Sequence, residues 1–174
     1  FHCDPALLRA VTQPLVITSQ NNTAAVHPVS GLPAMLPATD FKGMISQYSL
    51  DSLGDHRFCF DHGIRYAYVG GSMAKGISSV AMVQAFGEAG MLGFFGSAGL
   101  SLEEVEAAID QLQSAAIPYG VNLIHSPNEP ELEKELVELY IRKQVHLIEA
   151  SAFMGMSLPL VKYRTFGIHR DPLG

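Results

Sequence analysis

Residues 91–112, MLGFFGSAGLSLEEVEAAIDQL, spell out one complete unit of a fold. The apolar run from Met91 to Phe95 breaks on Gly96-Ser97-Ala98-Gly99, and Ser101 with Glu104 then has the spacing of a helix capping box. From there Leu102, Val105, Ile109, Leu112 and Ala116 recur at steps of three and four, which is one apolar face of a helix. Strand, small-residue turn and capped helix follow one another within the length of a single βα unit.

On either side of this unit the same form repeats. Apolar runs begin at Ile64, Met91, Tyr119 and His146, at intervals of 27, 28 and 27 residues, each followed by a helical pattern. The first helix is expected from about Ser79 to Ala89, ending at Gly90 as a left-handed cap. The third is expected to use Asn128 as cap with Glu131 three residues on, Pro130 in the first turn, and Leu132, Leu136 and Leu139 on its apolar face. Arg142 and Lys143 suit the negative end of its dipole. The strand runs are nearly continuously apolar, as expected of strands covered on both faces. Strands alternating with helices imply a parallel sheet with right-handed crossovers. Equal spacing favours a β/α barrel over an open doubly wound sheet. A barrel needs eight units and about 250 residues, so four units predict an α/β, TIM-type (β/α) barrel represented by its N-terminal half.

Residues 1–63 read as an N-terminal extension, with 64–174 as the half-barrel. In the extension, PLVITSQ and TAAVHPV flank Asn21 and Asn22 as the arms of a hairpin, followed by the proline-rich GLPAMLPATD. The segment from Phe41 to His62 is expected to be loop and a short helix.

Composition excludes several functions. With 174 residues, 48% hydrophobic and 16% charged, the chain can bury a core. A net charge of −6 and 11 scattered basic residues argue against nucleic acid as a partner. There is no run of about 18 apolar residues and no signal-peptide pattern, so no membrane is expected and the cytoplasm is the expected compartment. Cys3 and Cys59 stand apart and read as reduced thiols, the seven histidines are dispersed, and no metal is expected.

Ligands of parallel α/β folds bind beyond the C-terminal ends of the strands. Here those ends are small: Gly70-Gly71-Ser72, Gly96-Ser97-Ala98-Gly99 and Ala150-Ser151-Ala152. Missing side chains leave room for a flat ligand against backbone, although a tight βα turn selects glycine for steric reasons alone. GGSMAKGIS is neither a dinucleotide fingerprint nor a Walker A loop. Asn122 lies within the run YGVNLI, where a buried amide must be hydrogen-bonded, either to a ligand or to a neighbouring strand. His125 follows at the strand end, a candidate proton donor or a solvated loop residue. Glu149, within LIEAS, is either an inward carboxylate bonded near the site or the partner of a cation. Met73 packs against a ligand ring or belongs to the core.

Four stretches, GIRYAYVGGSMAKGISSV (63–80), AGMLGFFGSAGLSLEEVEAAI (89–109), PYGVNLIHSPNEPELE (118–133) and VHLIEASAFM (145–154), together resemble the flavin-dependent enoyl reductases of polyunsaturated fatty acid synthases and the trans-acting polyketide enoyl reductases. That group is similar in turn to nitronate monooxygenases. The resemblance covers about residues 50–174. It implies a β/α barrel with noncovalent FMN, NADPH as reductant and an enoyl thioester on acyl carrier protein as acceptor. By position, Gly71, Ser72, Met73 and Ala74 would face the isoalloxazine ring, Asn122 would bond its polar edge, and Gly96 and Ser97 would keep the ring face open. The family's FMN-phosphate loops and main catalytic histidine belong to later strands, expected beyond residue 174, which leaves His125 as the catalytic candidate here. The implied partners are the carrier-bound substrate and other synthase subunits, with a homodimer left open. Arg142, Lys143, Lys162, Arg164 and Arg170 are carrier-docking candidates or a solvated face. Two other readings stay open: a nitronate monooxygenase-type FMN oxidase, and a non-catalytic α/β interaction module.

Overall fold

The computed structural model describes residues 12–20, 23–32 and 37–168. Cys3, the Asn21-Asn22 turn, Arg170 and part of the proline-rich stretch lie outside the described residues. The chain forms two compact units, 1–53 and 54–174.

In the first unit, strands β1 (Leu15–Gln20) and β2 (Thr23–Pro28) pair antiparallel with Gln20 opposite Thr23, the register of the expected hairpin. A third strand, β3 (Phe41–Ile45), pairs antiparallel with the other edge of β1. This corrects the expectation of loop there. The segment carries little strand signal of its own, with Lys42 and Gly43 at its centre and mostly exposed residues throughout. Its pairing with β1 makes it a strand, and Lys42 is the extra residue where the register shifts.

The second unit opens with helix α1 (His56–His62), whose N-cap Asp55 accepts a hydrogen bond from the Arg57 amide. Four strands follow, β4 (Val69–Gly70), β5 (Leu92–Phe95), β6 (Tyr119–Ile124) and β7 (Ile148–Ser151), parallel and in sequence order across the sheet. Helices α2 (Val80–Glu88), α3 (Leu102–Ser114), α4 (Pro130–Arg142) and α5 (Leu158–Thr165) alternate with them. Sequential order without reversal has no switch point, so right-handed crossovers place the helices on one face, which fits part of a β/α barrel. Packing agrees: Val83 of α2, Val105, Ile109 and Leu112 of α3, and Val137 and Tyr140 of α4 share one core with Phe95, Val121 and Leu123 of the strands. The three α3 residues are wholly buried, and each contributes about 1.5–3 kcal/mol as an upper estimate. The opposite face of the sheet, through Leu92 and Phe94, packs on Ile64, Phe58 and Cys59. That explains the unbroken apolar run of β5.

Two local expectations are corrected. Residues 64–68 do not continue β4, because the Arg65 and Tyr66 amides both donate to the Gly90 carbonyl and the Tyr68 amide turns back to Tyr66. And α4 is capped by Glu129 without a side-chain bond, not by Asn128; Pro130 holds the first turn. Ser101 and Glu104 form the expected capping box, and Gly90 is left-handed at φ 77°.

Candidate functional site

Alternation along β6 and β7 turns Asn122, Glu149 and Ser151 to the face opposite the helices, at the C-terminal end of the strands. Asn122 lies opposite Glu149 in the register and is only 4% exposed. Its amide nitrogen donates to the Glu149 carbonyl at 3.1 Å and to Ser151 Oγ at 3.0 Å. Both donors are therefore spent on β7. Among the described residues its Oδ1 accepts no hydrogen bond and no side-chain polar atom sealed from solvent lacks a partner, so toward these residues Oδ1 is an open acceptor.

Glu149 has its role fixed by a contact that its sequence context leaves open. Its Oε2 accepts from the Ser72 amide at 2.8 Å, so a carboxylate on the fourth strand holds the loop after the first. In a flat sheet three strand spacings separate those elements, about 14 Å, so the loop must fold inward over the strand ends. The hydrogen bonds show how. The Lys75 amide donates to the Ala98 carbonyl and the Gly76 amide to that of Gly96, while the Gly96 amide donates to Ser78. Ser78, buried, knots the loop: its hydroxyl accepts from the Met73 amide and donates to the Gly71 carbonyl.

The expected ring-facing residues thus lie in one loop laid over the end of β5. A Cβ on Gly71 would sit 3.4 Å from Glu149 Oε1, so the absent side chain leaves the Ser72–Glu149 contact unobstructed. Ser72 faces Glu149 through its backbone, Met73 is exposed, and the Ala74 carbonyl accepts from Ile77. A Cβ on Gly96 would overlap the Met73 carbonyl, so the crossing of two backbones demands glycine there. Ser97 is buried, and its hydroxyl donates to the Asn122 carbonyl at 2.6 Å and accepts from Tyr140 of α4 at 3.0 Å. Burial drives the Tyr140 hydroxyl well above its ordinary pKa, keeping it a neutral donor.

His125 stands apart from this cluster, at the end of β6. Its Nδ1 lies 2.8 Å from Oε2 of Glu133, a carboxylate 2% exposed in the first turn of α4. The same group accepts from the Ser126 amide and from Ser157 Oγ, which also caps α5. Burial alone raises the Glu133 pKa, but hydrogen bonds from Ser157, His125 and Ser126 outweigh it and hold the carboxyl below its ordinary value. A lowered folded pKa stabilises above the unfolded value and is lost as pH falls through the folded one. The stability gap between wild type and Glu133→Gln should therefore be widest at neutral pH and close below about pH 4, as read by thermal melts at each pH.

Glu133 and Ser157 carry no motif in the sequence. The available signal is register: Glu133 falls in step with buried Leu136, Val137 and Tyr140, an apolar stripe in which a carboxylate needs partners. The basic residues are largely paired, Lys143 with Glu106 and Asp110, Arg142 with Glu106, and Lys162 with Glu138. A cleft of about 440 Å³ lined by Gln144, His146, Tyr163 and Arg164 lies toward the opposite end of β7. Among the described residues no helix is long and apolar enough to cross a membrane.

No family model matches the chain. It is 38% identical over 156 residues to the polyketide biosynthesis protein PksE of Bacillus subtilis, covering 85% of this chain and 20% of that protein. It is 41% identical over 133 residues to a subunit of the polyunsaturated fatty acid synthase of Thraustochytrium, covering 75% of this chain and 9% of that protein. Among solved structures, the enoyl reductase domain of MlnA, from the macrolactin biosynthesis cluster of Bacillus amyloliquefaciens, superposes with a TM-score of 0.66 at 42% identity. That match covers 72% of this chain and 29% of that one. The chain spans one fifth or less of these curated relatives. The chain is thus similar to part of proteins of polyketide and polyunsaturated fatty acid synthesis and to part of a solved enoyl reductase domain.

Proposed function

We propose that this chain is the N-terminal half of an FMN-binding β/α barrel whose activity is the NADPH-driven reduction of enoyl thioesters carried on acyl carrier protein. The observation that carries the reading is the 42% identity and shared fold with an enoyl reductase domain over 72% of the chain. The residues fit the ring of a flat cofactor: an open acceptor at Asn122 Oδ1 for a ring N–H, and backbone at Gly71, which has no side chain of its own and lies beside the Glu149 carboxylate. FMN, when bound, supplies the hydride chemistry. The chain's own residues orient it. Asn122 reads the polar edge while β7 fixes its amide plane, and Glu149 pins the loop whose backbone meets the ring face. Other synthase subunits and the carrier protein are the proposed partners. The paired Arg142, Lys143 and Lys162 offer little free positive charge to an acidic carrier.

Gly71→Val tests the cradle. Its Cβ would lie in contact with Glu149 Oε1 and its branches enter the space assigned to the ring, so FMN affinity is expected to fall about tenfold or more, with little change in thermal stability. Fluorescence titration of FMN against both proteins measures this. Equal affinities would remove Gly71 from the site.

A further inference from the structure

Lys75 stands in the loop over β5 at a backbone position that disfavours it. Its φ is 57° and that of Gly76 is 66°, and the Ile77 amide closes the turn on the Ala74 carbonyl at 3.2 Å. Two central residues of positive φ are the sign pattern of a type I′ turn, which asparagine and glycine take readily and a long side chain does not. Ala116 and Gln144 share the left-handed conformation, but they follow the last turns of α3 and α4, where helices commonly end that way. Lys75 closes no helix. Backbone strain held at the ligand end of a sheet points to a use for the side chain that bears it.

We infer that Lys75 binds a phosphate group of the second substrate, the one that approaches the cradle from solvent once the cofactor is seated. The inference rests on the reductase reading, in which both remaining substrates carry such a group: the adenosine 2′-phosphate of NADPH and the phosphodiester of the carrier's pantetheine arm.

Charge is the first support. In the second unit Arg57, Lys134, Arg142, Lys143 and Lys162 each pair with a carboxylate. Lys75 is exposed, and among the described residues its ammonium meets none. A lysine without an internal partner keeps its three donors for an anion from outside.

Placement is the second. The Lys75 amide donates to the Ala98 carbonyl at 2.7 Å, which fixes its backbone on the turn that follows β5. Its stem lies across Gly99, where an added Cβ would come within 3.4 Å of Lys75 Cγ and 4.0 Å of Cε. The side chain is thus laid along the rim made by two strand-end loops, four residues from Gly71, with its charge at the solvent edge. Substrates of a parallel α/β fold cross that rim to reach the strand ends.

Amide-resolved NMR titrations of the ¹⁵N-labelled chain test the inference without FMN. Adenosine 2′-monophosphate is set against adenosine, and 4′-phosphopantetheine against pantetheine. A phosphorylated probe is expected to shift the amides of Lys75, Gly76 and Gly99 while its uncharged counterpart does not. Shifts with the adenosine phosphate alone identify the reductant as the source, and shifts with phosphopantetheine alone identify the carrier arm. Lys75→Asn, which suits the turn, should melt no lower than wild type and weaken the binding of that probe about fivefold, a difference that closes at about 0.5 M salt. Lys75→Arg keeps the charge and should bind as wild type does. If neither phosphorylated probe moves these amides, or if wild type and Lys75→Asn bind equally, the inference is overturned. A Lys75→Asn protein that melts several degrees below wild type would show that the stem over Gly99 holds the lysine in place, and overturns it too. So does a loss of affinity for FMN without a loss for riboflavin, which assigns Lys75 to the cofactor's own phosphate. The reductase reading fails separately, if NADPH never reduces the FMN-loaded protein; the titrations would then still report a phosphate site at Lys75.

Discussion

Replacing Gly96 with alanine is expected to destabilise the second unit by about 3 kcal/mol, lowering its melting temperature by roughly 10 °C. The single methyl would overlap the carbonyl of Met73, and that carbonyl cannot move alone. It belongs to the loop tied by the Gly76 amide to Gly96, by the Lys75 amide to Ala98 and by Ser78 to both ends of its own turn. Relief of the overlap requires the loop to lift off β5. Lifting it strains the Ser72–Glu149 bond, so the effect reaches across the sheet. FMN affinity should fall with stability. Calorimetry of Gly96→Ala beside Gly43→Ala, a position where an added methyl meets nothing within 4 Å, separates the crossing from the general cost of changing glycine. A melt within a degree of wild type would show that the two loops do not pack as described.

The largest effect on binding is expected at Asn122. Asn122→Leu removes the open acceptor, and FMN affinity should drop roughly 10- to 100-fold, the cost of leaving one ring N–H unpaired in a partly desolvated site. The same change strips a donor from the Glu149 carbonyl and from Ser151, so stability should fall by about 1–2 kcal/mol. Ser151→Ala separates the two roles. It removes one internal partner of the Asn122 nitrogen without touching Oδ1, so affinity should stay close to wild type. If Asn122→Leu binds FMN as tightly as wild type, the asparagine serves only to join β6 to β7.

Much of this arrangement is legible in the amino-acid sequence. The capping box of α3 and its stripe from Val105 to Leu112 appear as read, because local hydrogen bonding and apolar periodicity point to the same element. The hairpin of β1 and β2 is readable for a similar reason, a two-residue connection between strand-forming runs. β3 is not, since its strand character comes from the edge it joins. The truncated β4 escapes because the Gly90 carbonyl takes two amides that a longer strand would need, and no composition signals that. Among candidate site residues, the small strand ends are visible in the sequence but their reasons differ. Gly96 answers to a backbone crossing, Gly71 sits beside a carboxylate, and Ser97 spends its hydroxyl on β6 and Tyr140. Glu133 is invisible as a buried carboxylate because a helical glutamate usually faces water; only its place in the buried stripe sets it apart.

Flavin binding and its reduction are tested most directly by the visible absorption spectrum of the purified chain with FMN, taken before and after NADPH under nitrogen. Flavin bands shifted from those of free FMN, which bleach when NADPH is added, are the expected result. A spectrum that matches free FMN and does not bleach, both in this chain and in a longer protein that contains it, would contradict the FMN-dependent reductase reading.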